Sequence, residues 1–207
     1  MRVSINNKFI YLSHGKTGST TVRDALDRYC DQLPDNMKDL SGTYKTSLGC
    51  HPSARDVKQF FNEHELSWDE YFKFTFVRNP WDRVVSGYFY FKNHPNPPTP
   101  YGQERKKLAN KNTFEWWVKN VIDSKNSQYH DIYDGQNKLV DYIGKMETLQ
   151  QDLDIILDKL HLPRVTVSCL NNSSHKHYTE YYDTKTAICV HNVFREDVDY
   201  FGYKFGQ

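Results

Sequence analysis

Apolar and polar residues follow each other along the chain in a pattern that predicts strands running directly into helices. Residues 8–14 (KFIYLSH) form a short apolar, aromatic run that ends in residues typical of turns, which predicts a buried strand. In the next stretch, 19–30, Val22, Leu26 and Tyr29 are spaced by four and three and share one face of a helix. The sequence therefore predicts a strand, a tight loop and a helix.

The same order recurs further along the chain. Residues 71–77 (YFKFTFV) have the strongest strand pattern, and the helical pattern RNPWDRVVSGYFYF follows at once. Asn79 is a favourable N-cap, Pro80 suits the first helical position, and Asp82 falls in the first turn. This is a second strand joined directly to a helix.

The remaining segments extend the alternation. Ser53 and Asp56 form a capping pair for a helix over 53–61, and Thr148 and Gln151 form another for an amphipathic helix over 147–162. Further predictions are a proline-rich exposed loop at 93–103, a helix at 113–122, a strand at 138–146 and short aromatic-packed helices at 177–205.

Strands that alternate with helices predict an α/β fold. We expect a P-loop-like, three-layer α/β/α architecture with a central, mostly parallel sheet covered on both faces. Because no linker or internal repeat interrupts the pattern, residues 1–207 are predicted to form a single domain. In such sheets ligands bind beyond the carboxyl ends of the strands, where segments 13–21 and 77–83 are predicted to lie.

Composition narrows the class of protein. The net charge of +1 argues against binding to nucleic acid by bulk electrostatics. No run approaches the roughly 20 apolar residues of a membrane helix, and the first residues lack the features of a signal peptide. We therefore expect a soluble, cytoplasmic protein, unless the chain was cut from a longer precursor. Widely spaced cysteines without a CxxC pair predict buried free thiols rather than a metal site: Cys30, Cys50, Cys169 and Cys189.

The stretch GKTGSTT, residues 15–21, has the composition of an anion-binding loop. Gly15 and Gly18 let the backbone approach a ligand, Lys16 adds a charge, and the helix that follows offers free amides at its amino terminus. It is not a Walker loop, because Ile10 stands where that pattern needs its first glycine. The alternative is an ordinary strand–turn–helix with a solvated lysine.

A second anion site is predicted at the following strand end. Arg78 can grip a phosphate bidentately, and Ser86, two helical turns on, can add a hydroxyl donor. The alternative is a capped helix in which Arg78 pairs with Asp82. Two anion sites at one sheet edge indicate a ligand with two separate phosphates.

These motifs resemble those of sulfotransferases, in the branch that sulfates carbohydrates of the chondroitin, dermatan and heparan type and in its bacterial relatives. GKTGSTT resembles the family's loop for the 5′-phosphosulfate of 3′-phosphoadenosine-5′-phosphosulfate (PAPS), and FTFVRNPWDRVVSGYFYF resembles its 3′-phosphate element. The similarity extends over about residues 8–205, with Gly15 where proline is usual. It implies 5′-phosphate contacts from Lys16, Thr17, Gly18, Ser19, Thr20 and Thr21, and 3′-phosphate contacts from Arg78 and Ser86.

The resemblance also implies transfer of a sulfuryl group to a hydroxyl acceptor, on a carbohydrate or a small alcohol, with adenosine 3′,5′-bisphosphate as the product. Lys16 would stabilise the leaving phosphate, and no metal is expected. A histidine suits the base near neutral pH, and His51, in GCHPSAR, matches the position of the family's catalytic histidine. A structural role at a helix entry is the alternative for His51.

Three further histidines and one glutamate are candidates for the base or for a metal ligand. His14 precedes the loop and either faces the substrate or packs at the strand end, and Glu147 either orients a site residue or stabilises a helix end. His175 and His177 lack a third metal ligand at suitable spacing and are predicted to lie in a loop near the cofactor.

Two other functions remain open. A P-loop kinase would need the missing Walker glycine and a carboxylate for magnesium. A non-catalytic glycan-binding module would have no need of the set formed by Lys16, His51, Arg78 and Ser86.

Overall fold

The computed structural model describes residues 1–43, 45–167 and 176–207. The chain divides into two compact units, which are described separately. The first unit comprises Met1–Val77 with Gln128–Asn171, and the second comprises Arg78–Ser127 with Asn172–Gln207. A single domain over the whole chain stays a prediction.

Among the residues that the structure describes, the strands all belong to the first unit. In chain order they are β1 (Arg2–Ser4), β2 (Phe9–Leu12), β3 (Phe72–Val77), β4 (Tyr133–Asp134), β5 (Asn137–Lys138) and β6 (Tyr142–Lys145). The main sheet has the order β1-β2-β3-β6, in which β2, β3 and β6 are parallel and β1 is antiparallel to β2. Strands β4 and β5 form a separate antiparallel pair. The predicted mostly parallel sheet is confirmed.

The helices are divided between the units. In chain order they are α1 (Ser19–Asp27), α2 (Ala54–Glu63), α3 (Pro80–Asn93), α4 (Pro100–Lys111), α5 (Phe114–Asn120), α6 (Gln128–Ile132), α7 (Leu149–Lys159), α8 (Thr184–Val193) and α9 (Arg195–Phe201). Single 3-10 segments cover Asp35–Ser41, Trp68–Glu70, Ser124–Asn126, Met146–Thr148 and Tyr178–Tyr181. Helices α1, α2, α6 and α7 lie in the first unit.

The core of the first unit lies on one face of the sheet, where aromatic residues alternate along the strands. Phe9 and Tyr11 of β2 and Phe74 and Phe76 of β3 pack against apolar residues of α1 and α7: Val22, Ala25, Leu26, Leu153, Ile156 and Leu157. The opposite side of the two central strands is buried too, since every residue of β2 and all but Phe72 of β3 are buried. A parallel sheet is expected to be covered on both faces, and its central strands are. The mixed α/β class follows from this arrangement.

Local capping rules explain where several helices begin. Ser53 and Asp56 form the predicted capping box at α2, in which each side chain accepts a hydrogen bond from the other residue's backbone amide. Asn79 caps α3 and Pro80 occupies its first turn, also as predicted. Residues next to each other in the sequence therefore determine where α2 and α3 begin.

Two predictions of local structure are wrong. The hydroxyl of Thr148 donates to Asp152 at 2.6 Å and makes no cap hydrogen bond, so the Thr148/Gln151 pair does not form. Residues 100–103, predicted as loop, open α4, because Pro100 occupies its first turn and Thr99 caps it.

In the second unit, α3 is the element on which the others pack. The ring of Tyr88 lies 5.5 Å from that of Phe114 and 5.6 Å from that of Trp117. The indole of Trp81 donates to the carbonyl of Ala187 in α8 at 2.8 Å. The predicted short, aromatic-packed helices of the carboxyl-terminal segment are therefore confirmed in the part that the structure describes.

Among the described residues, no helix combines the length and the apolar composition that crossing a bilayer requires.

Candidate functional site

The loop from β2 to α1 carries the predicted anion-binding residues. It ends at Gly18, the N-cap of α1, which has a φ of 72°. A Cβ atom on Gly18 would lie 2.4 Å from the Sδ atom of Met146, so backbone conformation and lack of space both favour glycine there. Lys16 also has a positive φ, 68°, which is uncommon for a residue with a side chain. The loop is therefore strained next to its lysine.

The amino terminus of α1 differs chemically from that of most other helices. Glycine has no side-chain oxygen with which to accept a hydrogen bond from the first-turn amides. By contrast, side-chain oxygens cap α2, α3, α4, α5 and α8, from Ser53, Asn79, Thr99, Thr113 and Asp183 respectively. Amides at a helix start attract anions. The start of α1 suits an anion beside Lys16.

The hydroxyl residues of the loop differ in their positions. Thr17 is buried, and its hydroxyl donates to the carbonyl of His14 at 3.1 Å, which stabilises the turn. Ser19 and Thr21 are buried, whereas Thr20 is exposed. The chain therefore uses the Thr17 hydroxyl to shape the loop.

His51 lies against the start of the same loop. Its Nδ1 is 2.8 Å from the carbonyl oxygen of Ser13, and a carbonyl can only accept, so Nδ1 carries the proton. In the neutral ring, Nε2 then holds the lone pair. The residue as a whole is exposed, yet desolvation by the surrounding chain lowers the pKa of His51 to about 4, and the hydrogen bond to Ser13 only partly opposes this effect. His51 is therefore neutral at physiological pH and has the tautomer of a base that acts through Nε2.

His14, next in the chain to Ser13, is held by a carboxylate. Its Nδ1 lies 2.9 Å from Oδ2 of Asp131, and the imidazole is 1% exposed. Its Nε2 is buried, and no described residue forms a hydrogen bond with it. Sequence reasoning named His14 but missed Asp131, because 117 residues separate the two and the stretch around Asp131 has no recognisable motif.

The second predicted anion site lies in the second unit. Arg78 directly follows β3, and its Nε donates to Oδ2 of Asp82 at 2.8 Å. This pairing is the alternative predicted for Arg78, and it also fixes the orientation of the guanidinium group. Ser86, two turns along α3, is 2% exposed. Both predicted 3′-phosphate residues therefore belong to one segment, at the start of α3.

The remaining candidates are dispersed. Glu147 is exposed in the 3-10 segment after β6, and His177 is exposed and pairs with Thr179. Of the thiols, Cys50 is free and buried, whereas Cys30 and Cys189 are free and half-buried. His175 and Cys169 lie outside the described residues. Within the described ranges, no group of three or more His, Cys, Asp or Glu side chains is arranged to hold a metal ion.

Comparison with known proteins identifies the family. A model of the sulfotransferase family matches residues 1–204. An uncharacterized protein of Archaeoglobus fulgidus is 28% identical over 111 residues, which cover 54% of this chain and 85% of the relative. Since the family model spans nearly all of the sequence, the chain belongs to the sulfotransferase family.

Proposed function

We propose that the protein transfers a sulfuryl group from PAPS to a hydroxyl group of an acceptor, on a carbohydrate. The observation that carries the proposal is the start of α1, where the N-cap is a glycine with no side-chain oxygen, two residues after Lys16. This chemistry suits a phosphate or sulfate group. The family match supports a sulfuryl transferase in general, and a P-loop-like role for this loop is part of the proposal.

The donor is held by its two phosphate ends. Lys16, Thr17, Gly18, Ser19, Thr20 and Thr21 bind the 5′ end, with Lys16 and the helix amides supplying positive charge. Arg78 and Ser86 bind the 3′-phosphate. The hydrogen bond from Nε of Arg78 to Asp82 holds the guanidinium group in a fixed orientation from which it can donate. When bound, PAPS supplies the activated sulfuryl group.

The protein's residues accept one proton and stabilise one developing negative charge. The acceptor oxygen forms its bond to sulfur as the bond from sulfur to the 5′-phosphate oxygen breaks, and Nε2 of His51 takes the hydroxyl proton. The tautomer set by Ser13 supports this role, since Nε2 holds the lone pair. Lys16 stabilises the charge that grows on the leaving phosphate, so positioning and electrostatics carry the reaction.

The carbohydrate acceptor rests on the resemblance of the sequence motifs. His51 is exposed, so a hydroxyl on a large molecule such as a glycan can reach it. Transfer of radiolabelled sulfate from PAPS to a panel of glycans and simple alcohols tests the acceptor class. Transfer to alcohols without transfer to any glycan contradicts the carbohydrate assignment.

Thermal unfolding with three ligands tests the reaction class. Adenosine 3′,5′-bisphosphate at 100 times its dissociation constant adds about 2.7 kcal/mol of stability, whereas ATP with magnesium adds much less. A larger shift with ATP and magnesium supports the kinase alternative. Strong stabilisation by a glycan without any shift from the bisphosphate supports the glycan-binding module.

A further inference from the structure

The pair formed by His14 and Asp131 has no assigned role in the reaction proposed above. The imidazole is buried at the end of β2, directly before Gly15 and Lys16. One of its nitrogens faces the carboxylate of Asp131 at 2.9 Å, and the other, Nε2, is buried without a hydrogen bond to any described residue. A buried polar atom without a partner costs about 1–3 kcal/mol, so its presence beside an anion-binding loop calls for a function.

Asp131 fixes the orientation of the His14 ring. Its carboxylate only accepts hydrogen bonds, so Nδ1 of His14 carries a proton. The carboxylate lies 2.9 Å from that nitrogen, so a second proton on Nε2 would place a positive ring directly against a negative group. Asp131 is the partly exposed member of the pair, with 28% of its side chain accessible. A negative group therefore already stands beside the buried ring.

The chemistry of the loop's ligand decides between the two states of Nε2. Phosphate and sulfate groups at neutral pH present oxygen atoms that accept hydrogen bonds, and a lone pair on Nε2 would repel them. An N–H on Nε2 would donate to them, as a charge-assisted hydrogen bond. An anion in this loop thus satisfies the orphaned nitrogen only when His14 is protonated.

We propose that His14 is a second cationic donor, beside Lys16, for the 5′-phosphate end of the sulfuryl donor, and that Asp131 is the positioning residue that orients its ring through Nδ1. The inference rests on the proposed function. It adds His14, just after β2, to Lys16 and the amides of α1 as a group that binds the donor. Donor recognition then depends on a carboxylate that does not itself touch the ligand.

The loop next to His14 has room to adjust to a ligand. A Cβ atom on Gly15 would meet no atom within 4 Å, so the space beside that residue is open. Lys16 is held in a left-handed conformation, which costs roughly 1–2 kcal/mol for a residue with a Cβ atom. A ligand that shifts residues 15–16 therefore moves a part of the chain that is already strained.

Calorimetric titration with adenosine 3′,5′-bisphosphate tests the proposal. His14→Leu, which removes the N–H, should weaken binding by roughly 10- to 100-fold, and His14→Gln, which keeps a donor, should recover part of the loss. Asp131→Asn should weaken binding by a similar factor, and the double variant should be no worse than either single one, because the two act as a unit. The matched control is His64→Leu, which removes an exposed histidine of the same unit that bonds the carbonyl of Phe60.

The outcomes separate this inference from the proposed function. Failure of the wild-type protein to bind the bisphosphate overturns the proposed function and this inference together. Wild-type binding that His14→Leu leaves within about twofold overturns the inference alone. Additive losses in the double variant overturn the role of Asp131.

A spectroscopic measurement addresses the same point without any substitution that might unfold the chain. Long-range 1H–15N NMR of selectively labelled histidine reports which ring nitrogens of His14 carry protons. With the bisphosphate bound, both nitrogens should be protonated. An unprotonated Nε2 in the complex overturns the proposal.

Discussion

The imidazole of His51 donates through Nδ1 to the backbone carbonyl of Ser13, at 2.8 Å. Ser13 lies three positions before Lys16, so the proposed base is attached to the same loop as the proposed leaving-group lysine. The hydroxyl of Ser13 also lies 3.1 Å from Nδ1 and can either donate or accept. The carbonyl can only accept, so it is the backbone of Ser13 that determines the tautomer of His51.

Replacement of His51 by alanine should lower turnover by roughly 10²- to 10⁴-fold, the range for loss of a general base. Binding of adenosine 3′,5′-bisphosphate should hardly change, because other residues hold the donor. His64→Ala is the matched control and should leave turnover intact. Near-normal turnover in His51→Ala would assign the histidine a structural role and direct the search for the base to His14 or Glu147.

The pH profile provides a separate test of His51. An ordinary histidine would give an acidic limb near pH 6 to 7. Desolvation lowers the pKa of His51 to about 4, so the neutral, active base persists down to that pH. Activity should therefore stay constant from pH 7 to about pH 5 and fall near pH 4, and the fall should vanish in His51→Ala. A limb at pH 6 to 7 that persists in the variant would identify another group.

Arg78→Ala should abolish most of the preference for adenosine 3′,5′-bisphosphate over AMP. A charge-assisted hydrogen bond contributes about 1.5–3 kcal/mol, which corresponds to a roughly 10- to 100-fold loss of affinity for the bisphosphate alone. Arg55→Ala is the control, since it too removes an arginine paired with an aspartate, Asp134. Equal affinity of the wild-type protein for both nucleotides would refute the 3′-phosphate assignment.

Three glycine variants separate backbone strain from lack of space. Gly18→Ala combines a φ of 72° with a contact 2.4 Å from Met146 Sδ and should lower the free energy of unfolding by about 2–3 kcal/mol. Gly49→Ala has a similar φ, 67°, but open surroundings, and should cost about 1 kcal/mol. Gly15→Ala has neither problem and should be neutral or slightly stabilising. Urea denaturation measures all three, and equal losses at Gly18 and Gly49 would show that the Met146 contact relaxes freely.

Asp152→Asn should destabilise the first unit by roughly 2–3 kcal/mol, because one carboxylate accepts several bonds that join β6 to α7. It receives the Tyr142 hydroxyl at 2.6 Å, the Thr148 hydroxyl at 2.6 Å and the Lys145 amide at 2.9 Å. The control is Asp158→Asn on the same helix, which loses only an exposed pair with Arg164 and should have a much smaller effect. Equal effects of the two variants in urea denaturation would contradict this account.

Sulfuryl transfer should need no metal ion, since Lys16 and the amides of α1 supply the charge that magnesium supplies in kinases. The measurement is transfer from PAPS in the presence of EDTA and after addition of magnesium. Activity lost in EDTA and restored by magnesium would revive the kinase alternative.

Features of this fold that depend on neighbouring residues were predictable from sequence. The Ser53/Asp56 box and the Asn79–Pro80 entry each involve residues within three positions, and the structure confirms both. The start of α4 at Pro100 was not predicted, because proline disrupts the interior of a helix but is favourable in its first turn.

Features that depend on tertiary contacts were not predictable. Thr148 was expected to cap its helix, but Asp152, four residues on, accepts its hydroxyl. Asp131 reaches His14 across 117 residues, and no periodicity links the two. The lowered pKa of His51 likewise comes from desolvation by parts of the chain that fold around it, which residue type alone does not reveal.

The contact between Gly18 and Met146 also has a consequence for the evolution of the loop. Because the sulfur of Met146 occupies the volume that a Cβ atom at position 18 needs, a side chain at position 18 requires Met146 to move or to be replaced. A homologous chain with asparagine at position 18, which tolerates a left-handed backbone, should carry alanine or glycine at position 146. Substitutions at these two positions should therefore be correlated across related sequences, linking the start of α1 to the 3-10 segment that follows β6.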